Sequence, residues 1–135
     1  MSTDVVVHAT ADLLAKAAAA RLVTRLVDAQ AARGMATIVL TGGGVGGAVL
    51  RELRDNPARD AVDWSRVEIW WGDERWLPDG DPERNDKQAM DALLSSVAVD
   101  PRRVHPFPAA DGQYAGDPEA AAAAYAAELA KATRP

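Results

Sequence analysis

The feature that most restricts how this chain can fold is a continuous apolar run followed at once by a glycine cluster and a helical stretch. Met35 to Thr41 reads MATIVLT, with Ile38, Val39 and Leu40 uninterrupted by polar groups, the pattern of a parallel strand covered on both faces. Gly42, Gly43 and Gly44 end the run. A helix is expected from about Val45 through Ala48, Val49, Leu50 and Leu53, until Asn56 and Pro57 stop it. Strand, tight turn and helix in immediate succession form the unit from which parallel sheets are wound.

The flanking segments extend this pattern. Asp4 to His8 carries the β-branched run Val5, Val6, Val7 and reads as a short buried strand. From about Ala11 to Ala32, Leu14, Ala18, Leu22, Val23, Leu26 and Val27 recur at three- and four-residue steps, which predicts a long helix with Thr10 as N-cap and Gly34 as C′ residue. Val67 to Trp71 (VEIWW) is the next predicted strand, and Gly72 to Asp81 a polar loop. Within Arg84 to Val97, the stripe Met90, Leu93, Leu94, Val97 predicts a helix. Prolines 101, 106 and 108 make the next segment a surface connection, with Arg103 to Phe107 as a short extended piece. Asp117, Pro118 and Glu119 then open a last alanine-rich helix whose large apolar groups are Tyr125 and Leu129, and its end at Thr133, Arg134 and Pro135 reads as a connector into more protein. The fold class expected is α/β: a doubly wound, mostly parallel, Rossmann-like sheet flanked by helices, incomplete, in a single domain over residues 1–135. Ligands of such sheets sit beyond the carboxyl ends of the strands, the edge where the loops after Thr41 and Trp71 lie.

Charge and composition narrow the ligand. The net charge of −5 over 135 residues leaves no extended basic surface for a nucleic acid. No stretch resembles a leader or is long enough to span a bilayer. The absence of cysteine excludes disulfides and thiolate chemistry, so the cytoplasm is the simplest home. A small anion remains compatible if a few cations converge in one cleft, the candidates being Arg75, Arg84, Lys87, Arg102 and Arg103.

Two segments carry the chemistry. Thr41 to Gly47 (TGGGVGG) places glycines between a strand and a helix start, where backbone N–H groups can approach an anion and the helix end adds roughly half a positive charge; a tight turn required only for packing reads equally well. Gly42, Gly44 and Gly47 also satisfy a dinucleotide-binding pattern, but the acid about 20 residues on that should follow the next strand is poorly matched: Asp63 precedes that strand and Asp73 comes late. Val67 to Asn85 (VEIWWGDERWLPDGDPERN) is the densest run of distinctive residues. Arg75 could hold a phosphate bidentately, and Asp73 could accept sugar hydroxyls or orient a neighbouring loop. A solvated Asp–Arg loop is the competing reading. Trp70, Trp71 and Trp76 are expected to pack in the core.

The stretch WWGDERWLPDGDPERN resembles the signature of 6-phosphogluconolactonases, and TGGGVGG resembles that family's glycine-rich sugar-phosphate loop, with Val45, Gly46 and Gly47 where members often carry Ser or Thr. The related glucosamine-6-phosphate isomerases share the fold and the glycine loop but not WGDER so closely. The resemblance implies metal-independent, cofactor-free hydrolysis of 6-phospho-D-glucono-1,5-lactone to 6-phosphogluconate in the oxidative pentose phosphate pathway. It assigns Gly42, Gly43, Gly44, Asp73, Arg75 and Asn85 to substrate and phosphate binding. It also implies a chain nearly twice this long, with a general-base histidine in an Asp-Gly-His motif that these 135 residues do not contain. No catalytic residue is therefore expected in this chain, and at most a trace of activity. The two histidines, His8 and His105, are expected to be structural or at the surface. A nucleotide-binding oxidoreductase domain and a non-catalytic sugar-phosphate binding module are the alternatives, and oligomeric state is left open.

Overall fold

The structure, a computed structural model, describes residues 2–132. The first helix, α1 (Ala11–Arg33), begins where Thr10 accepts a hydrogen bond from the Leu13 N–H and ends at Gly34, whose φ of 77° is the left-handed conformation that closes a helix. β1 (Ala36–Leu40) follows directly, and α2 (Gly43–Asp55) starts inside the glycine cluster, two residues earlier than predicted. β2 (Val67–Trp71) lies parallel to β1 in a register that pairs Ala36 with Val67 and Leu40 with Trp71. Then come α3 (Asn85–Ala92) and, after a long connection, α4 (Pro118–Ala130), which Asp117 caps by accepting from the Ala120 N–H.

The dominant layered sheet expected from the sequence is not what the described residues form. Helix accounts for 53% and strand for 8%, and the sheet is an open pair. Two segments counted as extended account for the difference. Val5, Val6 and Val7 are unpaired among the described residues and are 84%, 46% and 86% exposed. A β-branched run favours an extended backbone, yet becomes a strand only when a neighbour takes its N–H and C=O groups. The Arg103 to Phe107 segment contributes one bridge, Val104 beside Ile69, with the His105 N–H donating to the Ile69 carbonyl at 2.8 Å.

Nor is β1 covered on both faces, because Val39 is 49% exposed. The more buried strand is β2, with Val67, Ile69, Trp70 and Trp71 all inside. The helix predicted over Arg84 to Val97 stops at Ala92, and Leu93 breaks it at φ −142°, leaving Met90 exposed while Leu93 and Leu94 enter the core. Trp76 is half-buried rather than a core residue. The end of the last predicted helix, at Thr133, lies outside the described residues.

The core runs between α1, α2 and the sheet, through Val23, Leu26, Leu50, Leu53, Ile69 and Trp71. Two polar ties fix its registration. Gln30 of α1, buried, donates to the carbonyls of Asp63 and Arg66 and accepts from the Asp63 N–H, clamping the turn before β2. Tyr125 of α4 accepts from the Trp71 N–H at 2.9 Å and donates to the His105 carbonyl at 2.8 Å. Burial raises the pKa of that phenol. No helix of the described residues is long and apolar enough to cross a membrane.

Candidate functional site

Both strands end at the same edge, so the loops after Leu40 and after Trp71 emerge side by side. The first turns sharply into α2. Gly43 has φ 85°, a conformation that disfavours any side chain although a Cβ would meet nothing within 4 Å. Its neighbour Gly42 is constrained by space: a Cβ there would overlap the side-chain amide of Asn85. Gly42 caps α2 without a side chain, and no acidic residue occupies the first turn. Among the described residues the leading N–H groups of α2 therefore have no side-chain acceptor, and the positive end of the helix is bare.

The second loop is built around a buried carboxylate. Glu74 accepts from the backbone N–H groups of Arg75, Asn85 and Asp86 at 2.8, 2.6 and 3.0 Å, serving as the N-terminal cap of α3 from eleven residues away. Beneath it Arg84, 1% exposed, donates through Nε and Nη2 to the two Asp86 oxygens, through Nη1 to the Leu77 carbonyl and through Nη2 to the Phe107 carbonyl, with Glu74 at 3.7 Å. Burial opposes the charge on that guanidinium. The hydrogen-bonded Asp86 carboxylate, with Glu74 nearby, outweighs the penalty and holds the Arg84 pKa above its ordinary value.

Between the two loops lies a cleft of about 580 Å³, bordered by Gly43, Gly44, Arg51, Arg75, Asn85 and Gln88 among others. That volume lies within the usual range of small-molecule sites. Four of the six residues singled out by the sequence, Gly43, Gly44, Arg75 and Asn85, meet there. The other two stand behind Asn85: its Nδ2 donates to the Asp73 carbonyl at 3.2 Å and to the Asp73 carboxylate at 3.4 Å, while Gly42 makes room for its other face. Asp73 is thereby tied to Asn85 behind the cleft. Arg75 is exposed, and its side chain makes no ion pair among the described residues.

The remaining candidate cations go elsewhere. Arg84 is consumed in the buried cluster, Lys87 pairs with Asp91, Arg102 with Asp100 and Arg103 with Glu68. Arg51 and Arg54, which the sequence reading did not select, border the cleft instead. The signal was present: Gly44, Gly47, Arg51 and Arg54 follow the helical step from the glycine turn and share a face. Among the described residues no group of three or more carboxylate or imidazole side chains is arranged to hold a metal. His105 lies outside the cleft, stacked on Trp70 with centroids 4.0 Å apart and held between Glu68 at 2.7 Å and Glu128 at 3.1 Å.

The family model for glucosamine-6-phosphate isomerases/6-phosphogluconolactonase matches residues 9–135. The chain belongs to this family. It is 62% identical over 132 residues to the 6-phosphogluconolactonase of Streptomyces coelicolor, covering 98% of this chain and 51% of that protein. To the 6-phosphogluconolactonase of Mycobacterium tuberculosis it is 47% identical over 135 residues, covering all of this chain and 54% of the relative. This member of the isomerase/lactonase family therefore spans about half the length of those curated relatives. The solved 6-phosphogluconolactonase of Trypanosoma brucei superposes with a TM-score of 0.75 at 22% identity, over 98% of this chain and 52% of that one, a likeness of fold.

Proposed function

We propose that this chain is the substrate-gripping half of a 6-phosphogluconolactonase, binding the phosphate and sugar of 6-phospho-D-glucono-1,5-lactone in the cleft between the glycine turn and the WGDER loop. The observation that carries the reading is the convergence of an uncapped helix start at Gly43 and Gly44 with an unpaired Arg75 across one hollow. Backbone N–H groups and a guanidinium together suit a phosphate, which accepts several charge-assisted hydrogen bonds at once. Asn85, whose Nδ2 donates to the Asp73 carbonyl, suits a sugar oxygen. Anchoring the phosphate positions the lactone carbonyl, and positioning alone can supply several kcal/mol of a barrier reduction.

Hydrolysis also needs a general base to activate water. Neither histidine of this chain borders the cleft, so the proposal assigns grip and orientation to these residues and leaves proton abstraction to a group not among them. The proposed setting is the cytoplasm. Calorimetric titration of the 135-residue chain with 6-phosphogluconate tests the reading: saturable binding with hydrolysis of the phospholactone near the uncatalysed rate is expected. NADPH fluorescence should be unaffected by the chain, and a tight NADPH complex would favour a dinucleotide-binding domain instead.

A further inference from the structure

We infer that Arg51 is the second cation of the phosphate subsite, facing the anion together with Arg75, and that the cleft is thereby matched to a dianionic phosphate monoester rather than to a singly charged acid. This rests on the sugar-phosphate reading above. Helical side chains lean toward the N-terminus of their helix, and Arg51 does so over a gap: the Cβ that Gly47 lacks would stand 3.3 Å from the Arg51 Nη1. The guanidinium thus lies back along the face that leads to Gly44 and the bare start of α2. A cation laid toward the positive end of its own helix is unfavourable unless an anion joins them. Among the described residues Arg51 has no ion pair and no side-chain hydrogen bond to supply one.

The other charges around the cleft leave this assignment standing. Arg54 is bound to Asp55 at 3.0 Å, and Asp91 to Lys87 at 2.6 Å. Glu83 is the remaining charged group bordering the hollow, and a carboxylate there suits sugar hydroxyls. Two unengaged guanidinium groups, Arg51 and Arg75, remain for the anion, matching the two charges a phosphate monoester carries above its second pKa of about 6.

The test is calorimetry with 6-phosphogluconate on the full chain and on Arg51→Gln, Arg51→Lys and Arg75→Gln, each checked by urea unfolding. Arg51→Gln is expected to bind about tenfold or more weakly at pH 7.5, the scale of one lost charge-assisted hydrogen bond, with the unfolding midpoint unchanged and part of the affinity restored in Arg51→Lys. The unaltered chain should bind more tightly as pH rises from 5 to 7.5 and the phosphate gains its second charge, and this gain should shrink in Arg51→Gln. Unchanged binding in Arg51→Gln beside a loss in Arg75→Gln would overturn the role of Arg51 and leave the sugar-phosphate reading intact. An equal loss at both pH values, accompanied by a lowered unfolding midpoint, would overturn it in favour of a structural role. No binding by the unaltered chain at millimolar ligand would overturn the sugar-phosphate reading and this inference with it.

Discussion

Arg75 and Arg84 stand nine residues apart in one loop, and the structure treats them as opposites. Arg84 is 1% exposed and spends its guanidinium on Asp86, Glu74 and two backbone carbonyls. Arg75 is exposed on the wall of the cleft, with no acidic partner among the described residues. A cation enclosed with its carboxylates holds a loop in shape and is closed to any ligand; a cation left on a rim can exchange water for an incoming anion at little cost. The rigid arginine makes the free one useful, because the Glu74 and Arg84 cluster sets where Arg75 and Asn85 project.

The largest test of this contrast is Arg84→Met. Removing one partner from a buried ion cluster leaves Glu74 and Asp86 uncompensated, and urea unfolding is expected to show a loss of about 3–5 kcal/mol. A loss below about 1 kcal/mol would mean that the cluster is not what holds the loop. Next comes Gly42→Ala, whose Cβ must displace the Asn85 amide. Forcing a group into a packed site costs about 1–3 kcal/mol, and 6-phosphogluconate affinity should fall with it because Asn85 moves off its Asp73 anchor. Arg75→Gln sharpens the comparison from the other side: thermal unfolding should change by under about 0.5 kcal/mol, the usual range for surface substitutions, while phosphate binding is lost. The smallest effect concerns Asp63, whose pKa is lowered by hydrogen bonds from Ser65 and Arg66. A carboxyl with a depressed folded-state pKa stabilises above its unfolded value, about 3.9, and that contribution fades as pH falls through the folded value. Melting temperatures followed downward from pH 5 should decline less steeply in Asp63→Asn; identical slopes would remove Asp63 from the account.

Legibility in the sequence followed the range of the interaction. Thr10, Gly34, Asp117 and Pro118 marked helix ends correctly because a cap acts on N–H or C=O groups within one turn. The apolar runs of β1 and β2 were equally plain, as was the glycine turn between β1 and α2. Where a segment's fate depended on a distant partner, local pattern misled. Val5 to Val7 has strand character but pairs with no neighbour among the described residues, and Leu93 left its helix so that it and Leu94 could fill the core. WGDER drew attention to Asp73 and Arg75, but that Glu74 caps α3, and that Arg51 borders the cleft, follow from contacts made only in the folded chain.

The sequence by itself determined both ends of α1, the start of α4, the two strands, the glycine turn and the family, since each is written in residues adjacent along the chain. Tertiary structure alone decided which arginine is sealed and which is free, that Asp73 serves Asn85, and how little of the extended backbone becomes sheet. Those outcomes depend on burial and on how partners, many of them 10 or more residues away, are brought together, such as Glu74 with Asn85 and Tyr125 with Trp71. A side chain's charge is fixed by its type, but the dielectric and the partners that give the charge a purpose come only with the fold.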